Sequence, residues 1–349
     1  MDGTRGPVPY VDASPVPPEV AAMAWDEAAA RWRLEQLRDG LPVGVPTDAA
    51  LGAGNSNDVW LFGEYALRVC WRADRNRLLR EAALSSALPA EVPHAQALDA
   101  GEGAVATWLL TARVTGRPLS EVVTQVSAPA ARDLVRQHAH MLAALHAWTP
   151  PVAIRDVLTR RSPTVGTDPM TTWAADLLPL PVPRLLLLLD LLAAVPFVEP
   201  DLVEAVRHRV QVLAPSDPWA GQHDAGVVTH GDAVGDNVLV HEGRITALLD
   251  FEWARLGPID TELVSLVRAA LPGPWSSPVV RRLPLLEWVA ADYPALFAAP
   301  DLDERLWLAE IAYVVRGVIW WPPDVAEHEL VAEHHLHALR RLVQAPWPR

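Results

Sequence analysis

Lysine is missing from this 349-residue chain; all 29 basic residues are arginine. Mechanisms that need an amine nucleophile or a Schiff base on lysine are therefore excluded. Cysteine occurs once, as Cys70. No disulfide can form within the chain, which suits a reducing compartment and gives a cytoplasmic expectation. Long apolar runs are scarce. The greasiest, RLLLLLDLLAAV at 184–195, is interrupted by Asp190; it is too short to cross a bilayer and reads as a buried helix. Residues 1–20 hold acids and prolines in place of the basic start and apolar stretch of a secretory leader. Positive charge is also in deficit. Against 43 acids the net charge is −14, a surface that repels phosphate backbones, so neither nucleic acid nor an anionic membrane is expected as a partner.

What the chain does have is core-forming material. It is 50% hydrophobic and 21% charged, which excludes disordered and collagen-like classes. Residues 1–45 read as a proline-rich arm followed by a helix over 21–38, stopped at Gly40. From 46 to 115 the pattern is strand-rich: runs at 47–51, 58–62 and 65–71, a helix at 74–88, then strands at 95–100 and 104–111. From 116 to 349 it is mainly helical, with helices expected at 128–148, 183–195, 200–213, 261–271, 281–291, 302–321 and 326–343. One β patch interrupts them, where 238–240 and 245–249 flank a turn at Glu242–Gly243. A small β-rich lobe before a larger helical lobe implies a cleft between them, the usual place for a ligand.

The most informative stretch is VTHGDAVGDNVLVHEGRITALLDFEWARLGPIDTEL, from Val228 to Leu263. Phosphoryl transfer needs a carboxylate to hold the acceptor hydroxyl and take its proton, and oxygen ligands for Mg²⁺ on the triphosphate. Asp232 lies on a loop beside His230 and Gly231, and Asn237 follows it. The carboxamide of Asn237 is a suitable Mg²⁺ ligand. Asp250 ends the second run of the hairpin that begins at Val238, so the fold-back returns it to Asn237. Singly, each residue is ordinary: a turn cap, a loop amide, a strand end.

Together, His230-Gly231-Asp232, Asn237 and Asp250-Phe251-Glu252 resemble the aminoglycoside phosphotransferase and choline kinase family, related in fold to the protein kinases. The resemblance implies an α+β, protein-kinase-like two-lobed fold, with a small β-rich N-lobe and a larger, mainly helical C-lobe. It implies transfer of the γ-phosphoryl of ATP (or GTP) to a hydroxyl of a small molecule, with Asp232 as base and Asn237 and Asp250 on Mg²⁺. The glycine-rich stretch Gly52–Asn57, including Gly54, Asn55 and Ser56, would cradle phosphates through backbone N–H groups; an ordinary hairpin turn is the competing reading. Arg68 would take the place of the lysine that most protein kinases use, clamping phosphates and pairing with Glu81 on the next helix. Backbone groups around Ala112 to Val114 would meet the nucleobase. Asp260 would brace the catalytic loop, His230 would orient it, and Asp236 would point to solvent. Acids after residue 260 (Glu262, Asp301, Asp303, Glu304) would make an acidic pocket suited to a cationic acceptor such as an aminoglycoside. Two other readings stay open: a Ser/Thr kinase acting on peptides, and an inactive binding module on the same fold. The tail histidines, His334 and His337 among them, read as a solvated helix face and not a metal site.

Overall fold

Period-2 burial organises the first half of the molecule, as seen in a computed structural model that describes residues 10, 11, 13, 14, 20, 26–52, 57–71, 76–159, 181–220, 226–270, 282–323, 330, 331 and 334–344. Helix α1 (Glu27–Leu37) starts at Asp26, whose side chain accepts the Ala29 N–H at 2.8 Å. Strands β1 (Ala50–Leu51), β2 (Asp58–Phe62) and β3 (Tyr65–Cys70) precede helix α2 (Asn76–Ser85), and β4 (Ala97–Glu102) and β5 (Thr107–Ala112) follow it. The five strands form an antiparallel sheet in the order β1-β2-β3-β5-β4. Side chains alternate across β3. Leu67 and Val69 join Trp60, Leu110 and α1 residues Leu34 and Leu37 in one buried cluster. Cys70 faces α2, with Leu78, Ala82 and Leu109. Arg68 shares that second face.

The rest is mainly helical. A short strand β6 (Arg117–Pro118) leads into a one-turn helix α3 (Leu119–Val122), then α4 (Ala128–Ala147), α5 (Val152–Thr159), α6 (Val182–Leu192) and α7 (Pro200–Leu213). Strand β7 (Val227–Thr229), the hairpin β8 (Val238–His241) and β9 (Arg244–Leu248), and β10 (Arg255–Gly257) come next. Helices α8 (Leu263–Ala270), α9 (Leu285–Asp292), α10 (Leu302–Trp320) and α11 (His335–Gln344) complete the described elements. Buried positions on α4 recur at helical spacing (Leu134, Val135, His138, Leu142, Leu145) and pack into a large core with Leu185, Leu188, Ile311 and Val315. The leucine-rich run 184–195 is indeed a core helix: Leu185, Leu188, Leu189 and Leu192 are buried, while Asp190 faces out and meets Arg207 at 2.8 Å. No helix among the described residues is long and apolar enough to cross a membrane.

The expected order of strands and helices recurs with most ends moved by a few residues, but the last helix, expected from 326, begins only at His335. The pattern reading missed α3, α5 and the three-residue strands β7 and β10. Those strands pair with each other across a long sequence gap, Thr229 opposite Arg255. Neither has enough length to show a period of its own. The two halves meet where Leu248 N–H donates to Pro93 O at 2.7 Å and His94 bridges to Leu248.

Candidate active site

Hairpin register, not sequence proximity, builds the site. Val238 pairs with Leu248, and one step out the Leu249 N–H donates to Asn237 O at 2.7 Å. That closure sets Asp250 beside the catalytic-loop segment. Asp250 itself takes a left-handed conformation, φ 67° and ψ 60°, which is costly for a residue with a Cβ and turns its carboxylate out of the strand direction. Asn237 Nδ2 donates to both the backbone O (2.9 Å) and Oδ2 (3.0 Å) of Asp232. Burial, reinforced by the charge of Asp250, pushes the Asp232 carboxyl up to about 7 against the pull of Arg268 and the Asn237 hydrogen bond.

From the sheet side, Arg68 reaches into the same place. Its Nη1 meets Glu81 Oε1 at 2.7 Å and Oε2 at 2.6 Å, and its Nη2 meets Asp250 Oδ1 at 2.7 Å. Burial works against its charge, but Asp250, Glu81 and Glu252 outweigh it and raise its affinity for the proton. Glu81 is pushed up by its own burial, against the pull of Arg68. Glu252 is fully buried; it accepts from Arg77 Nη1 and Asn57 Nδ2, both at 3.0 Å. Asn57 is the last residue of the glycine-rich stretch, and its bond to Glu252 ties that end of it to the segment carrying Asp250.

A profile of the phosphotransferase enzyme family matches residues 47–296, well over half of the chain. The chain belongs to that family. Solved structures similar to it include aminoglycoside phosphotransferases of protein-kinase-like fold. One is ADP-bound APH(2'')-Ib, with TM-score 0.57, 16% identity, and coverage of 91% of this chain and 97% of the other. Another is a thermostable APH(4)-Ia mutant with AMP-PNP and hygromycin B, with TM-score 0.55, 18% identity, 91% and 99%. A third is an APH(2'') enzyme with GDP and kanamycin, with TM-score 0.59, 16% identity, 89% and 96%. No curated protein matches the sequence.

The residue that braces the loop of this phosphotransferase is not Asp260. Asp260 is held by the fork of Arg305, at 2.7 and 2.9 Å, and joins α10 to the turn before α8. The brace is Glu262, completely buried, which accepts the N–H groups of His230 (2.7 Å) and Gly231 (2.9 Å) and Nε2 of His146 (3.3 Å). Burial alone would raise its pKa; these donors hold it down at about 2. Its only sequence signal was a carboxylate two residues after Asp260, and the pattern reading assigned it to the acceptor pocket instead. His230 orients the loop as expected. Its Nε2–H donates to Leu249 O at 2.9 Å, its Nδ1 accepts the Asp232 N–H at 3.2 Å, and burial keeps it neutral by lowering its pKa. Gly231 is required here: at φ 81° an added Cβ would also lie 2.9 Å from Trp253 O.

Other expected site residues divide. Gly54, Asn55 and Ser56 lie outside the described residues. The stretch does start from a closed base, with Gly52 N–H donating to Val59 O at 2.7 Å. Ala112 gives its N–H to Gln96 O at 3.0 Å. Val114 lies just past β5, next to Arg113, whose N–H donates to Glu64 O at 2.8 Å. Asp236 is exposed but does not simply point to solvent; it accepts from the Ser120 hydroxyl. Among the described tail histidines, His334 and His335 do not sit on a solvated face. His334 is buried, with Nε2 at 3.0 Å from Trp321 O, and His335 packs edge-on against Tyr313. Their helix carries its apolar stripe against α10, which the histidines share.

A cavity of about 520 Å³ opens beside Asp232. Leu119 and Val123 form one wall, Val135 and His138 of α4 another, and Leu266, Arg268 and Tyr313 the far side. None of Glu262, Asp301, Asp303 or Glu304 lines it. The acids that line this cavity are instead Glu121, Asp232 and Asp236; of the four expected ones, Glu262 is committed to the loop and the others lie at the start of α10.

Proposed function

We propose that this chain transfers the γ-phosphoryl group of ATP or GTP to a hydroxyl group of a small molecule, with Mg²⁺ on the triphosphate. One observation carries the reading: Asn237 holds Asp232 beside the cavity, Arg68 joins Asp250 to Glu81 across 182 residues, and the bond from Leu249 N–H to Asn237 O brings the two groups together. Asp232 is the group to accept the hydroxyl proton as the new O–P bond forms and the bond from the γ-phosphorus to the β–γ bridging oxygen breaks. The nucleoside diphosphate leaves with the bridging oxygen, and the proton stays on Asp232 Oδ. Its raised proton affinity favours that last step. Arg68 and Val114 are proposed to hold the phosphates and the base, alongside the backbone of Gly54, Asn55 and Ser56, and Glu81 keeps the guanidinium of Arg68 in place.

The donor set fits a hard cation. Asn237 uses its Nδ2 on Asp232 and Asp250 uses Oδ1 on Arg68. Asn237 Oδ1 and Asp250 Oδ2 have no hydrogen-bond partner among the described residues. Two oxygens, with no larger cluster of His, Cys, Asp or Glu among the described residues, suit an ion that completes its shell with phosphate and water. When bound, Mg²⁺ would neutralise charge on the triphosphate.

The test is Mg²⁺-dependent nucleotide turnover over a panel of hydroxyl acceptors, for wild type, Asp232→Ala and Asp250→Ala. Aminoglycosides enter the panel first, because structural neighbours were solved with kanamycin and hygromycin B. Turnover confined to the wild type supports the reading. Equal turnover in all three proteins would refute it, as would phosphorylation of peptides alone.

A further inference from the structure

Glu262 is gripped from behind as well as from the loop. Its Oε2 accepts the His230 N–H at 2.7 Å and Nε2 of His146 at 3.3 Å, while Oε1 accepts the Gly231 N–H at 2.9 Å. His146 is buried near the end of α4. A carboxylate only accepts, so Nε2 of that ring carries the proton, and Nδ1 of the neutral ring is an acceptor. The Tyr293 hydroxyl lies 3.0 Å from Nδ1 and is its donor. Burial, and then the negative charge of Glu262, keep the phenol protonated by raising its pKa. Each atom from Tyr293 through His146 to Glu262 thus has one role, with no alternative tautomer that satisfies every contact.

The outer end of this relay belongs to the cavity side of the molecule. Tyr293 directly follows α9, with its N–H on Val289 O at 2.7 Å, and the preceding Asp292 pairs with Arg132 of α4. At the other end of α9, Leu283 and Leu285 border the cavity beside Asp232. One helix therefore borders the acceptor space and, through two side chains, meets the carboxylate that holds the catalytic loop. Without the His146 donor a buried Glu262 would have to turn toward water or take a proton, and either change takes an acceptor from the loop N–H groups. Resting on the phosphotransferase reading above for the reaction they serve, we propose that His146 and Tyr293 are positioning residues: Tyr293 fixes His146 as an Nε2–H donor, and that donor keeps Glu262 facing the His230 and Gly231 N–H groups, which sets Asp232 at the cavity. Both act through Glu262 and not on the substrate.

The experiment is hydrogen exchange by mass spectrometry on the full, nucleotide-free chain, following the peptide that contains His230 and Gly231, together with Mg²⁺-ATP turnover to water. In His146→Ala the loop amides should exchange at least about tenfold faster than in wild type, the loss of one hydrogen bond to a charged group. His146→Gln, whose amide N–H reaches as far as Nε2 of the ring, should restore most of the protection. Tyr293→Phe removes one oxygen and should speed loop exchange by about three- to tenfold, yet add nothing in the His146→Gln background. Across these variants kcat should fall in step with the lost protection while KM for ATP stays within about twofold, because Arg68, Glu81 and Asp250 are untouched. Loop exchange within about twofold of wild type in His146→Ala would overturn the proposal. So would acceleration spread equally over the β2–β5 sheet, or effects of the two substitutions that simply add. If His146→Ala does not fold, Tyr293→Phe alone decides. A wild type that turns over no ATP would remove the phosphotransferase reading instead, and the exchange pattern would still decide the relay.

Discussion

Replacing Glu262 with glutamine tests how the catalytic loop is held. The wild-type carboxylate is fully buried and accepts two loop N–H groups and one imidazole N–H. Glutamine keeps the volume but offers one acceptor oxygen where there were two. One of the His230 and Gly231 N–H groups then faces an NH₂. A buried donor left unsatisfied costs about 1–3 kcal/mol, and the remaining bonds lose their charge assistance, giving about 3 kcal/mol in total. Linkage gives a second route to the same quantity. Lowering the Glu262 pKa from 4.5 to about 2 corresponds to about 3 kcal/mol, at about 1.4 kcal/mol per pH unit. A carboxyl whose folded pKa lies below its unfolded value stabilises the fold when ionised. That stability is therefore complete above pH 4.5 and lost as pH falls toward 2. Urea unfolding at pH 7 and at pH 3 is the assay. The variant should be less stable by about 3 kcal/mol at pH 7, and the gap should narrow at pH 3. Turnover should drop about a hundredfold through loop displacement, with nucleotide binding kept. Stability within about 0.5 kcal/mol of wild type at pH 7 would refute the brace.

Asp232→Asn should keep the fold and lower phosphoryl transfer by about 10²–10⁴-fold, measured as acceptor-dependent diphosphate release. Gly231→Ala, strained at φ 81° and crowded against Trp253 O, should lose about 1–3 kcal/mol in urea unfolding. Arg33→Ala removes the buried guanidinium that meets the Asp58 carboxylate at 2.8 and 2.9 Å. Unfolding should show a loss of about 3–5 kcal/mol, partly recovered in the double variant Arg33→Ala/Asp58→Ala. Arg68→Lys keeps the charge but cannot span Glu81 and Asp250 together, so the KM for nucleotide should rise with a smaller change in kcat.

The sequence showed Asp232, Asn237 and Asp250 clearly because their spacing is local: a loop and one hairpin connect them, and a hairpin turn is written in its own residues. Arg68 and Glu81 came from the family resemblance, laid on a strand followed by a helix. Glu262 was misplaced because a carboxylate does not announce whether it faces water or two backbone N–H groups. Arg33 in α1 gave no sign of burial either; only packing against Trp71, at 3.7 Å, and pairing with Asp58 put it inside.

Composition and periodicity thus determined the β-rich and helical halves, the absence of lysine chemistry and the hairpin that returns Asp250 to Asn237, since each follows from short-range geometry. Tertiary structure alone decided which acids are spent on bracing, which arginines are buried, and that Leu119, Val135, Leu266 and Arg268 meet around one cavity beside Asp232. Burial and partner choice depend on which surfaces meet across 25 residues, as for Arg33 and Asp58, or 116, as for His146 and Glu262, and no local pattern encodes that meeting.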